Sequence, residues 1–97
     1  MLNEIVLVGT IKEMPVSNPN DSLHFADMKI ECVRPIRSND GEYHSDVFTV
    51  TVWRGVADSA AANYEVGNIV GIKGRLQLDD KTAQPRIIAE RVSFIRK

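Results

Sequence analysis

The sequence's only tryptophan, Trp53, lies near the end of the stretch VFTVTVWRG, residues 47–55. Because side chains alternate across a strand, this stretch would have one wholly apolar face, formed by Phe48, Val50 and Val52. Its other face is mixed and is formed by Val47, Thr49, Thr51 and Trp53. Any nucleobase offers a π-face to an exposed aromatic ring, so the pattern predicts that Trp53 stacks on a flat ligand. The alternative is that Trp53 caps the fold or fills a contact between subunits.

A second set of candidate residues is basic. Each phosphate that a protein neutralises releases counterions, so binding requires several basic groups on one face. The candidates have outward positions on predicted strands, lie in a predicted loop or follow the tryptophan: Lys29, Lys73, Arg75, Arg34, Arg37 and Arg54. Acidic residues near them, Asp27, Glu31, Asp79 and Asp80, are expected to weaken the patch. For any one basic residue, the alternative is an ordinary solvated charge.

Length and charge limit the remaining possibilities. Ninety-seven residues with 43% apolar content suit one domain spanning residues 1–97. The formal charge of −1 means that nucleic-acid binding must come from a local patch. The single cysteine, Cys32, has no second cysteine or metal-ligand spacing beside it, and we interpret His24 and His44 as surface residues. We expect no enzymatic activity, no cofactor or metal and no small-molecule substrate.

No apolar stretch approaches membrane-spanning length, and the opening MLNEIVLVGTIKE lacks the pattern of a signal peptide. We therefore expect a cytoplasmic protein with no membrane partner.

The elements that would position these residues are mostly strands. The patterns predict strands over 2–11, 25–33, 47–53, 69–78 and 87–95, with an alanine-rich helix over 56–64. Turn-rich loops are expected over 15–22 and 34–45, the second containing the turn signal Asp40-Gly41. Five strands with one short helix between the third and fourth predict an all-β, five-stranded OB-fold barrel, a fold that binds oligonucleotides on one face.

Several longer stretches resemble bacterial single-stranded DNA-binding proteins: MLNEIVLVGTIKEMP, VTVWRGVAD, YEVGNIVGIKGRLQ and ERVSFI. Primosomal replication protein N is a related, dimeric variant. The resemblance implies an OB-fold barrel, assembly into a homotetramer or dimer, and binding of single strands over basic and aromatic residues. It also places Trp53 at an aromatic position near the end of the third strand.

The sequence departs from that family at informative positions. Glu4 replaces a basic residue, Val47 replaces an aromatic one, and no tail with an acidic-hydrophobic end follows Lys97. We expect a divergent short member, a form like primosomal replication protein N, or a piece of a longer chain cut at its domain end. The predicted function is binding of single-stranded DNA without strong sequence preference in replication, recombination or repair. The alternative is an OB-fold protein-interaction module that uses Glu4, Asp27 and Glu31.

Overall fold

The computed structural model describes residues 1–15 and 25–97, and for Arg54 it describes the backbone alone. The predicted loop over 15–22, apart from Pro15, and the predicted surface residue His24 therefore lie outside the described residues.

Within the described residues, the barrel has five strands and one helix. They are β1 (Ile5–Glu13), β2 (Phe25–Val33), β3 (Ser45–Trp53), α1 (Arg54–Asn63), β4 (Ile69–Leu78) and β5 (Pro85–Arg96). The strands close in the order β1-β2-β3-β5-β4, and all described pairs are antiparallel except β3 with β5. The predicted OB-fold barrel with a helix between the third and fourth strands is confirmed.

Strand β1 begins three residues later than its apolar pattern predicts. The side chain of Asn3 takes the place of strand pairing there, because its Nδ2 donates to the carbonyl of Leu76 at 2.7 Å. Its Oδ1 accepts a hydrogen bond from the Leu76 N–H at 2.9 Å. The Asn3 side chain thus forms the hydrogen bonds of the Leu76 backbone on β4 at a point where β1 has not yet begun to pair with β4.

The core is formed by the inward faces of all five strands and by one side of α1. Its fully buried large side chains are Ile11, Met28, Ile30, Ile72, Val50, Val52 and Val70. Phe48, predicted to face inward, is half-buried and packs against this cluster. Cys32 also packs against it, and partial burial, together with nearby Asp46 and Glu31, raises the pKa of its thiol.

Two glycines allow the barrel to close. A Cβ at Gly9 would overlap the carbonyl oxygen of Glu31, and one at Gly74 would overlap the carbonyl oxygen of Ile88. Gly74 also adjoins an irregularity in the β4–β5 register. Backbone therefore approaches backbone at both places, and neither position leaves room for a side chain.

The turns agree with their sequence signals. Gly41 has a φ of 82° in the β2–β3 loop, where the Asp40 carboxylate accepts hydrogen bonds from Ser38 Oγ and the Glu42 N–H. Gly67, with a φ of 95°, follows the end of α1 and donates its N–H to the Ile11 carbonyl. Among the described residues, no helix is long and apolar enough to span a membrane.

Candidate nucleic-acid interface

Two aromatic rings lie side by side where β2 begins and β3 ends. The register pairs Phe25 with Trp53, and the ring centroids are 4.4 Å apart with a 36° angle between the planes. Trp53 is 50% exposed and Phe25 is 37% exposed. Trp53 therefore has an aromatic neighbour on its own face, and the two rings together offer a larger surface for stacking than one ring.

The next residue pair on the same face of these two strands, Asp27 and Thr51, is polar. Thr51 donates its hydroxyl to Asp27 Oδ1 at 2.8 Å, and Arg86 Nη1 lies 3.5 Å from the same hydroxyl. Arg86 Nε is 3.2 Å from Asp79 Oδ2. A continuous line of hydrogen-bonding groups thus runs from β2 across β3 to the turn after β4.

Thr51 corrects one expectation from strand parity. Its position on the mixed face predicts exposure, yet it is only 5% exposed. Asp27 and Arg86 cover it from both sides while satisfying its hydroxyl. Parity gave the correct face, but neighbouring strands decide how much of that face is open to solvent.

A groove of about 530 Å³ lies over this line. Phe25, Asp27 and Thr51 form one side, while Met14, the end of β4 and the turn that follows β4 form the other sides. In OB folds, the β2–β3 face and the loops after β1 and β4 hold oligonucleotides, so the groove lies at the position from which such a ligand would be bound.

The charge of the groove is mainly acidic. Its lining includes four carboxylates and one guanidinium: Glu13, Asp27, Asp79, Asp80 and Arg86. Backbone N–H groups of Lys81 and Thr82, and the charge of Arg86, hold the pKa of Asp79 below its usual value. Asp79 therefore stays ionised near neutral pH and keeps Arg86 oriented across the groove.

The structure distributes the predicted basic residues over several strands and pairs most of them with acids. Lys29 Nζ is 3.6 Å from Glu13, and Arg75 Nη1 is 3.3 Å from Glu90. Lys73 Nζ is 3.1 Å from Glu4. Lys29 neighbours Thr49 on the groove side of the barrel, whereas Lys73 lies opposite Val6 on β1.

The two arginines of the β2–β3 loop have different partners. Arg34 binds Asp46 through two hydrogen bonds of 2.9 Å, which lowers the pKa of that carboxyl and raises the pKa of Arg34. The Arg37 guanidinium lies 5.2 Å from the centre of the Tyr43 ring, within the range of a cation–π contact. Nothing is described of the Arg54 side chain, so its predicted role remains a prediction.

Sequence reasoning missed two residues of this interface. Phe25 has the same outward parity as Asp27 and Lys29, so the alternation of β2 could have identified it. Arg86 precedes an apolar run, and its role depends on the β3–β5 pairing, which opposes Thr51 and Ile88. No local pattern in the sequence indicates that pairing.

A different, apolar surface lies on β1 and its neighbours. We define the β1 face as Val6, Val8, Gly71 and Ile95. Val6 is 68% exposed and Val8 is 56% exposed, and a Cβ at Gly71 would contact Ile95. In the described part of the chain, residues 5–9 pair with β4 along one edge only.

Comparison with known proteins gives consistent relatives. Residues 2–95 match the Single-strand binding protein family. The chain is 29% identical to the Single-stranded DNA-binding protein of Oceanobacillus iheyensis, with 98% of this chain and 64% of that protein covered. It is 32% identical to Single-stranded DNA-binding protein 1 of Clostridium acetobutylicum, with 79% and 72% covered. The chain thus spans less than two thirds of the Oceanobacillus relative's length.

A solved structure supports the fold. The small single-stranded DNA-binding protein from Streptomyces coelicolor superposes with a TM-score of 0.69 at 19% identity, covering 98% of this chain and 95% of that one. At this identity the likeness concerns the fold alone. The family resemblance predicted from the sequence is confirmed, while the relation to primosomal replication protein N stays a prediction.

Proposed function

Because this chain belongs to the Single-strand binding protein family, we propose that it binds single-stranded DNA over the β2–β3 side of the barrel. The observation that carries the proposal is the exposed Phe25–Trp53 pair, in which Phe25 lines the groove and Trp53 packs beside Phe25. Aromatic stacking holds unpaired bases, and a duplex would hide the base faces that these rings need. Replication, recombination and repair all expose single strands of DNA, and we propose that the protein acts in these processes. We also propose that it acts in the cytoplasm, where bacterial DNA lies.

The basic residues would add phosphate contacts by exchanging partners. Lys29, Arg34, Lys73 and Arg75 all have an acidic partner at the surface, and exposed ion pairs of this kind stabilise little. A phosphate can therefore replace a carboxylate at modest cost. Lys29 is best placed for this because it adjoins the groove, and Arg37 and Arg54 remain proposed contacts as well.

The proposed function is tested by replacing Trp53. Trp53→Ala should weaken binding of a labelled single strand by about 1–3 kcal/mol, the usual value of a lost stacking ring. Fluorescence anisotropy of the labelled strand measures this without the tryptophan signal. Phe94→Ala is the matched control, since Phe94 is also an exposed aromatic but stacks on Tyr64 beside the helix. Equal affinities for the parent and Trp53→Ala would refute stacking as the basis of binding.

We also propose that residues 1–97 form one domain that assembles into a homo-oligomer, a dimer or tetramer. One continuous core supports the single domain. The apolar β1 face supports assembly, as does the edge of residues 5–9 that has no strand partner among residues 1–15 and 25–97, because exposed apolar surface and open strand edges favour association. Sedimentation showing only monomer at high micromolar concentration would contradict the second proposal.

A second candidate function is protein interaction. The acidic lining of the groove favours it, since the carboxylates of Glu13, Asp27, Asp79 and Asp80 would repel a phosphate backbone. Under this alternative, the groove would receive a basic peptide and single strands would bind only weakly. Failure of the parent protein to bind any labelled single strand at low salt would favour it.

A further inference from the structure

We propose that the groove reads the edge of a stacked base and favours cytosine and other bases with an exocyclic amino group over thymine. This inference rests on the proposed function and specifies which single strands the same site prefers. Stacking on Phe25 and Trp53 alone would not discriminate, because every base has a π-face. The preference must come from the polar groups beside the rings, and it replaces the expectation of no strong sequence preference.

The position of Asp27 carries the first step. Asp27 follows Phe25 by two residues on the same face of β2, so it lies about 7 Å along the strand from the ring. Both residues line the groove. A base stacked against the rings and extending into the groove therefore presents its edge to the Asp27–Thr51 pair.

The chemistry of that pair carries the second step. The Thr51 hydroxyl already donates to Asp27 and faces Arg86, so Thr51 has no second proton to offer a base. An ionised carboxylate accepts hydrogen bonds but donates none. Within the described residues, Oδ1 of Asp27 accepts a hydrogen bond and Oδ2 of Asp27 does not. The side of the groove formed by Asp27 thus requires a donor on the base.

The bases differ in what they offer to such an acceptor. Cytosine carries an amino group at N4, and carboxylates accept from it in known base recognition. Adenine and guanine also carry amino groups. Thymine offers only one N–H, between two carbonyl oxygens whose partial negative charge opposes that of Asp27.

Arg86 completes the match to cytosine. Its Nε faces Asp79 and its Nη1 faces Thr51, which fixes the guanidinium plane at the edge of the groove. Arginine has five N–H donors, so donors remain for the O2 and N3 acceptors of cytosine. A carboxylate acceptor beside a guanidinium donor therefore complements the amino group and ring nitrogen of cytosine.

The test compares two pyrimidine strands of equal length. Labelled oligo-dC and oligo-dT of about 15 nucleotides, within the usual site size of an OB fold, are titrated at pH 8, where cytosine is unprotonated. We expect oligo-dC to bind about tenfold more tightly, the lower end of the discrimination given by good base contacts.

Two variants assign that ratio to the groove. Asp27→Asn should bring the dC-to-dT ratio close to one, because an amide both donates and accepts. Asp80→Asn is the matched control, since it removes the same charge from the same groove but lies in the turn after β4. It should strengthen both affinities equally and leave the ratio unchanged.

The outcomes separate the two proposals. If neither strand binds, the proposed function fails and the preference falls with it. If both strands bind and oligo-dT binds at least as well as oligo-dC, binding is retained and the base preference is refuted. A ratio that Asp27→Asn and Asp80→Asn change equally would show a general charge effect and would overturn the assignment to Asp27.

Discussion

The barrel presents two outward faces that differ in the groups they offer. We define the groove face as Phe25, Asp27, Thr51, Trp53 and Arg86, where two rings adjoin a line of donors and acceptors. The β1 face offers two exposed valines over Gly71 and Ile95. Both arise from strand alternation around one core.

The difference shows how a small barrel can separate ligand binding from assembly. A flat polar ligand such as a base needs an aromatic surface and directional hydrogen bonds, and the groove face has both. Apolar side chains beside an open strand edge are suited to binding another protein chain. Removing the side chains from water is favourable, and the strand edge can pair with a backbone of the other chain. A substitution on one face should therefore impair only binding or only assembly, whereas a substitution that disrupts the core should impair both.

The largest effect is expected where both faces depend on one residue. Ile30 is fully buried on β2, the strand that also carries Phe25 and Asp27. Ile30→Ala should lower the free energy of unfolding by up to about 5 kcal/mol, through lost transfer energy and a cavity. Chemical denaturation measures it, and binding and assembly should decline together. Val33→Ala, at an exposed position on the same strand, should cost little, and a similar loss there would contradict the burial argument.

The next largest effect should separate the faces. Val8→Asp places a charge in the proposed contact between subunits, where burying it unpaired should cost about 3 kcal/mol or more. Analytical ultracentrifugation should show dissociation, while the isolated barrel remains folded because Val8 is exposed within it.

Val66→Asp makes the same change at an equally exposed position outside the β1 face and should leave assembly unchanged. Dissociation by both variants would show that added charge, rather than the β1 face, is responsible.

Much of the fold follows from the sequence, because periodicity and turn residues act locally. The alternation of Phe48, Val50 and Val52 correctly gave the inward side of β3, and the Asp40-Gly41 signal marked a turn in which Gly41 has a positive φ. The site was only partly predictable. Trp53 stood out as a single aromatic on a mixed face, but its pairing with Phe25 depends on a register set by the whole β2–β3 hairpin.

Charge was the least predictable property. The basic residues were visible, yet their acidic partners come from distant positions, such as Glu4 for Lys73 and Glu90 for Arg75. The sequence shows how many acidic residues are present, but the folded barrel determines which basic residue each of them pairs with.

A smaller effect concerns the salt dependence of binding. For about three to five phosphate contacts, the logarithm of affinity should fall against the logarithm of salt with a slope of roughly −2 to −4. Lys29→Ala should make this slope shallower by about 0.7, since Lys29 adjoins the groove face. Lys73→Ala should change it less, because Lys73 lies opposite Val6 beside the β1 face.

Titrations of labelled oligo-dT at several salt concentrations measure both slopes. An equal change in the two variants would show that the bound strand also passes over β4, and the separation of the faces would be wrong for phosphate contacts.

The smallest effect is expected at the base of the β2–β3 loop, which belongs to neither defined face. Hydrogen bonds from Arg34 hold the pKa of Asp46 below its usual value. A lowered carboxyl pKa stabilises the fold at pH values above the unfolded pKa, about 3.9, and this stabilisation is lost as pH falls through the folded pKa. Because both groups are exposed, screening by solvent keeps the contribution small.

Asp46→Asn tests this contribution, because it keeps the shape of the side chain and removes its charge. The variant should unfold at a slightly lower temperature than the parent at pH 7, and the two melting temperatures should converge as the pH falls through the lowered folded-state pKa of Asp46 in the parent. Thermal unfolding followed by circular dichroism over this pH range measures the difference. Assembly at pH 7 should be unchanged, because the pair is not part of the β1 face. A difference that persists at the lowest pH would show that Asp46 stabilises the loop through hydrogen-bond geometry rather than charge.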